Sequence, residues 1–106
     1  MPDQELDLQS ILALDRTVHE PARLAILTVL AAAEEVEFLF LQRVTGLSKG
    51  NLSSHTQKLE GAGFLETVKA FRGRIPVTSF RITDVGRAAL KAYHKQLRAL
   101  LPEEKI

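Results

Sequence analysis

Between Thr45-Gly46 and Gly61-Ala62-Gly63-Phe64 the chain reads Leu47-Ser48-Lys49-Gly50-Asn51-Leu52-Ser53-Ser54-His55-Thr56-Gln57-Lys58-Leu59. In a helix, Leu52, Thr56 and Leu59 fall on one inward face. Lys49, Gly50, Asn51, Ser53, Ser54 and Gln57 are left outside, a set of short polar groups with one cation and no acid. An ordinary solvated helix mixes Glu with Lys. An acid-free surface of donors and acceptors suits a polar, anionic target, and the edge of a DNA major groove is one. Asn51 and Gln57 can bond bidentately to adenine, and Lys49 can reach guanine acceptors; a good bidentate pair discriminates by about 1–3 kcal/mol. Ser48, Thr45 and the helix N-terminus are candidate donors to phosphate, with Lys58 as a further cation. Gly50 weakens a helix interior by roughly 0.8–1.0 kcal/mol against Ala, a cost that close backbone approach to DNA offsets and that the first turn tolerates. His55 has two readings, a phosphate contact or a satisfied histidine at the helix edge, and the second is favoured. Ser54 and His55 are sequence neighbours that diverge on a helix, so they make no nucleophile–base pair.

A reading helix needs a start, a stop and a platform. Ser48 is a good N-cap, and Gly61 and Gly63 both offer the positive φ that ends a helix. Upstream, Phe38-Leu39-Phe40-Leu41-Gln42-Arg43-Val44 has strand-forming residues. Phe40 or Leu41, Val44 and Leu47 nevertheless keep helical spacing, and Thr45-Gly46 ends the element sharply. Helix, Gly-containing turn and helix is the spacing of a helix-turn-helix. Glu20-Pro21 opens an earlier helix running to about Ala33, with Pro at the first position, where its missing N–H costs little. It is apolar almost all round, as a central core helix would be. Glu34-Glu35-Val36-Glu37 reads as an acidic turn or very short strand.

Downstream, residues 65–71 and 75–82 are rich in strand formers and flank Arg72-Gly73-Arg74, a turn with two cations. They predict a hairpin with Arg72 and Arg74 at its tip, placed to meet phosphate or the minor groove. Pro76 lacks a ladder donor and fits the loop end or an edge strand. Thr83 and Asp84 start a last helix, as N-cap and dipole partner, and Pro102 stops it. Within it Leu90, Tyr93, Leu97 and Leu100 form a narrow coiled-coil-type seam. Near the start, Leu6, Leu8, Ile11, Leu12 and Leu14 make a short helix too apolar to be covered on one side only. For both terminal helices two readings stand, a dimer surface or packing on the chain's own core. Leu8, Ile11, Leu12, Leu90, Tyr93, Leu97 and Leu100 are the candidate dimer residues.

Length and composition bound the rest. The sequence has 106 residues, 45% hydrophobic, and predicts one domain with frayed ends at about 1–5 and 102–106. With no cysteine there are no disulfides or thiolate metal sites. The longest apolar run, Leu24 to Ala33, is well short of the ~20 residues of a membrane span, and the acidic N-terminus is followed by no signal core. A cytoplasmic location without membrane association is expected. The net charge of +1 hides an asymmetry: residues 1–40 hold eight acids and two bases, whereas residues 41–82 hold seven bases and two acids. Positive potential therefore gathers around the reading helix and hairpin. No Walker or Rossmann glycine loop is present, so no enzyme activity and no cofactor is expected. His94 with Asp84 or Glu103 could form a hard-ligand site, but His19, His55 and His94 lack paired metal-ligand spacing, and no metal is expected.

The string Thr45 to His55, with Lys58-Leu59-Glu60 and Gly63-Phe64, resembles the recognition-helix segment of ArsR- and MarR-like transcriptional regulators. It is most similar to their small, one-domain winged helix DNA-binding subgroup. The likeness extends to His19-Glu20-Pro21-Ala22-Arg23-Leu24, Phe71-Arg72-Gly73-Arg74-Ile75-Pro76 and Ile82-Thr83-Asp84-Val85-Gly86-Arg87, covering about residues 15–98. One departure is Thr56, where family members usually carry Leu. The resemblance implies a mainly α fold with a small β-hairpin wing, that is, a winged helix-turn-helix with extra terminal helices for dimerisation. It also implies a homodimer that sets two recognition helices in successive major grooves of double-stranded DNA, at an inverted repeat. Two alternatives accompany this expectation: a protein-interaction adaptor, marked by an apolar patch on the reading helix, and a metal- or metabolite-responsive repressor whose effector is unknown.

Overall fold

The computed structural model describes residues 8–102. The expectations for residues 1–5, Leu6 and Glu103, and for the end beyond Pro102, fall outside them. The elements run α1 (Leu8–Leu12), α2 (Pro21–Ala31), β1 (Val36–Glu37), α3 (Phe38–Thr45), α4 (Lys49–Gly61), β2 (Leu65–Arg72), β3 (Ile75–Ile82) and α5 (Asp84–Leu100). The expected winged helix-turn-helix is the architecture found.

Each helix boundary has a chemical cause. Glu20 caps α2 by accepting from the Arg23 N–H at 2.7 Å, with Pro21 behind it. Ser48 Oγ accepts from the Asn51 N–H at 3.1 Å and starts α4. Thr83 Oγ1 accepts from the Gly86 N–H at 2.9 Å and donates to the Gly63 carbonyl at 2.6 Å, so one hydroxyl starts α5 and ties it to the end of α4. The stop of α4 corrects one expectation. Gly61 is its last helical residue and keeps helical backbone; Gly63 alone takes the left-handed conformation, at φ 79°. The Phe64 N–H bonds the Leu59 carbonyl and the Gly63 N–H that of Glu60, both at 2.9 Å. This is the Schellman closure, which needs its glycine two residues beyond the helix end.

The core is one cluster. Ile26, Leu27 and Leu30 of α2 are fully buried with Leu41 of α3 and Leu52 and Leu59 of α4. The expected central helix is therefore α2, which touches α3, α4, α5 and β3. On α3 the inward residue is Leu41. Phe40 and Val44, which share its helical spacing, are exposed, because the apolar stripe of this helix is wider than the surface it covers. Thr56 is buried, and its hydroxyl bonds the Leu52 and Ser53 carbonyls at 2.9 and 3.1 Å, so the departure from Leu leaves no unpaired polar atom.

The sheet order is β1-β3-β2, all antiparallel. Strands β2 and β3 pair from Leu65↔Ile82 to Arg72↔Ile75, leaving the two-residue turn Gly73-Arg74 with Gly73 at φ 66°. Pro76 thus lies in the central strand of the sheet. It is tolerated because β1 reaches only Ser79 and Phe80, so the Pro76 end of β3 has an open outer edge.

The seam of α5 is corrected in part. Leu90 and Tyr93 are buried in the chain's own core, and Leu97 and Leu100 pack half-buried against it. Their period fits a helix partner, but the nearest apolar surface is this chain's. The Tyr93 hydroxyl is satisfied by His19 Nδ1 at 2.7 Å. Helix α1 differs: Leu8, Ile11 and Leu12 are all exposed, and only Leu14 just beyond enters the core.

Candidate nucleic-acid interface

Helix α4 is held at its inner face by Leu52, Thr56 and Leu59, which fixes what its other faces show. Gly50, Ser54 and Gln57 lie opposite the buried stripe and are exposed, with Lys58 beside them. Lys49 and Ser53 turn to one flank, toward the wing, and Gln57 also reaches this groove. Asn51 and His55 turn to the other flank, toward Glu20 and Pro21 of the α2 start. The six base-reading candidates therefore share a crest and two shoulders rather than one narrow face. All are exposed except half-buried Ser53. A Cβ at Gly50 would meet nothing within 4 Å. Gly50 is the second residue of the helix, where a Gly costs less than in the interior, and its bare backbone faces outward.

The flank toward the wing is a groove of about 1010 Å³. Lys49, Ser53, Gln57 and Glu60 form one wall, Gln42 and Leu39 of α3 with Glu37 the end, and Lys69, Thr78, Arg72 and Pro76 of the wing the other wall, so three cations and two acids line it, with Arg72 and Glu37 paired. Gln42 and Lys69 are among the members that escaped the sequence reading. Lys69 was visible as a cation at an alternating strand position, but the face it occupies depends on the β2–β3 register.

The phosphate candidates divide. Ser48 uses only its oxygen as a cap, so its hydroxyl proton is free to be donated outward. Thr45 differs: its proton goes to the Leu41 carbonyl at 2.7 Å, and its oxygen accepts weakly from the Leu47 N–H. It fixes the turn and has no proton left for phosphate. Lys58 is exposed in the last turn of α4. Arg72 pairs with Glu37 of β1, which ties the wing to the start of α3. Arg74 sits in the turn itself and has no ion-pair partner among the described residues, so it is the free cation of the tip. Lower on the sheet, Arg81 is hydrogen-bonded to Glu35 at 2.9 Å with Glu66 nearby. That bond and the Glu35 charge raise the Arg81 pKa above its ordinary value.

His55 is the satisfied histidine of the two readings. Its Nδ1 lies 3.1 Å from an Arg23 amino group and 4.0 Å from a Glu20 carboxylate oxygen. A guanidinium only donates, so Nδ1 accepts, and the neutral ring carries its proton on Nε2. Its Nδ1 therefore serves as an internal anchor between α2 and α4. Arg23 is the hub that sequence reading missed. Its Nε donates to the Thr17 carbonyl at 2.7 Å and its other amino group to that of Arg16 at 3.2 Å. One side chain therefore pins the loop before α2 and the middle of α4. An arginine in an otherwise apolar helix was the available signal.

Comparison with known proteins agrees with this geometry. A model of the winged helix DNA-binding domain matches residues 22–101. An uncharacterized protein of Methanocaldococcus jannaschii is 43% identical over 72 residues, covering 67% of this chain and 77% of that protein. A transcriptional regulator homologue from Pyrococcus horikoshii OT3 is 33% identical with a TM-score of 0.80, covering 88% of this chain and 91% of the other. The M. tuberculosis regulator MosR, whose structure was solved with DNA, shares the fold at a TM-score of 0.68 and 17% identity, covering 93% of this chain and 71% of the other. A cap-defined reading helix, a basic wing beside it and these matches lead to one assignment: the chain belongs to the winged helix DNA-binding domain family.

Proposed function

We propose that the chain acts as a homodimer on an inverted repeat, with each α4 in a major groove and each wing on the flanking backbone. The observation that carries this reading is the crest of α4. Gly50, Ser54 and Gln57 stand outermost, with no acid from Lys49 to Gln57, beside a groove where Lys49, Lys69 and Arg72 outnumber Glu37 and Glu60. In this reading Lys49, Gly50, Asn51, Ser53, Ser54 and Gln57 read bases, while Ser48, Lys58 and Arg74 meet phosphate or the minor groove. The second copy is held through Leu8, Ile11 and Leu12, with the uncovered parts of Leu97 and Leu100; Leu90 and Tyr93 are left to the core. The whole chain serves as one DNA-binding unit.

The adaptor alternative has one observation in its favour. Leu39, Phe40 and Val44 are exposed on α3. They stand on the supporting helix, whereas the crest of α4 is polar, so DNA remains the better partner for the reading face.

A mobility-shift titration on DNA upstream of the chain's own gene tests the reading. Binding should be retarded in discrete steps and weaken steeply with added salt, because each neutralised phosphate releases counterions. Absence of any complex at low salt, or affinity indifferent to salt, contradicts it.

A further inference from the structure

The wing carries more than cations. Phe71 is 75% exposed and Ile75 is 65% exposed, one on each strand beside the Gly73-Arg74 turn. In the β2–β3 register Phe71 opposes Pro76, and Arg72 opposes Ile75. Directly opposed residues share a face, so the Phe71 ring and the Pro76 ring form one apolar edge of the tip, and Ile75 lies on the other side. The core contribution of this hairpin ends at Leu65, Phe80 and Ile82. Beyond them the strands project as a finger that β1 does not cover. Nothing in the fold requires a phenyl ring there, and a core-independent hairpin tip is normally polar.

The surroundings of the ring say what it fits. Lys69 stands two residues before it on the same strand, and Arg74, in the turn, has no ion-pair partner among the described residues, whereas Arg72 is paired with Glu37. An apolar wedge framed by cations is complementary to a duplex approached from its minor groove, where two phosphate rims flank stacked base steps. Apolar side chains that enter such a groove part-unstack a step and bend the duplex toward the major groove. Pyrimidine–purine steps yield most easily.

We propose that Phe71 is a wedge that enters the minor groove and partly unstacks one base step when the wing seats, so that this chain bends its DNA and selects for a flexible step at that position. The proposal rests on the DNA-binding reading given above and deepens it. Arg74 supplies attraction at the rim, Phe71 supplies the insertion, and the Arg72–Glu37 pair holds the hairpin upright against the load.

The probe is a duplex recovered by binding selection from a random-sequence pool, bearing 2-aminopurine at the adenines of each candidate step and fluorophores at its ends. With the unaltered chain, 2-aminopurine emission should rise at one step per half-site, energy transfer between the ends should increase, and the recovered sequences should favour TA or CA there. Phe71→Ala should still bind, more weakly, with the emission rise, the bend and the step preference lost. Phe71→Leu should retain all three in reduced form. Because Phe71 contributes nothing to the core, unchanged thermal unfolding of both variants separates a lost wedge from a lost fold. If Phe71→Ala at saturation gives the same emission rise and bend as the parent, or the parent binds without unstacking any step, the wedge is wrong while DNA binding stands. If the parent recovers no duplex at all, the DNA-binding reading fails and the wedge with it.

Discussion

Arg74 and Gln57 occupy different parts of the proposed interface and should fail in different ways. Arg74 is a guanidinium at the wing tip with no ion-pair partner among the described residues, so in the proposed complex it would act on any duplex alike. Arg74→Ala should weaken binding across all sequences and reduce the slope of log affinity against log salt by about 1, read from titrations at several salt concentrations. Gln57 stands on the crest of α4 with its amide free to face base edges. Gln57→Ala should alter preference at one base position by roughly 1–3 kcal/mol and leave the salt slope unchanged. Parallel selections on a random pool distinguish the two, and equal losses on every sequence would remove Gln57 from the reading set. The exposed residues of α4 were legible because a helix period and one apolar stripe dictate what stays outside. Partnerships across the fold were not. Arg72 finds Glu37 35 residues earlier only because the sheet places β1 beside β3. His55 was left with two readings because its partner Arg23 comes from a helix whose azimuth no local pattern sets.

At the scale of elements, the caps carry the argument. Ser48 gives α4 its start and its outward hydroxyl, so Ser48→Ala should lower stability by about 1 kcal/mol, measured by denaturant unfolding. Gly86→Ala should cost more. A Cβ there would run into the Phe64 carbonyl, which already accepts from the Thr83 N–H where α4 and α5 are tied together. A thermal midpoint unchanged by Gly86→Ala would mean that this junction is looser than its geometry. Helix starts were readable because Glu20-Pro21, Ser48 and Thr83 are chemical signals that act within three residues. The stop of α4 was less so: Gly61 and Gly63 are equally permissive locally, and the choice falls to the glycine that lets Phe64 reach Leu59. The hairpin strands were readable to within a residue. The burial of Leu90 and Tyr93 was not, since a seam's period states which residues share a face and not which surface covers them.

For the whole molecule the asymmetry of charge acquires a geometry. The basic middle of the chain forms α4 and the wing, and the acidic first part contributes Glu35 and Glu37, which neutralise Arg81 and Arg72 from the side of β1. Helix α1 supplies a further surface, three exposed apolar residues in five. Leu12→Glu should shift the chain from dimer to monomer in sedimentation equilibrium and weaken operator binding, while leaving the fold intact because Leu12 is outside the core. A monomeric parent chain would count against the two-fold reading and leave the DNA face itself standing.

That two-fold placement of α4 is the central claim, and hydroxyl-radical footprinting of a complex on selected duplex DNA examines it most directly. The expected pattern is two symmetric protected segments on one face of the duplex, their centres about one helical turn, roughly 34 Å, apart, with both weakened together by Gln57→Ala. A single protected segment, or protection whose position ignores the sequence, would contradict it.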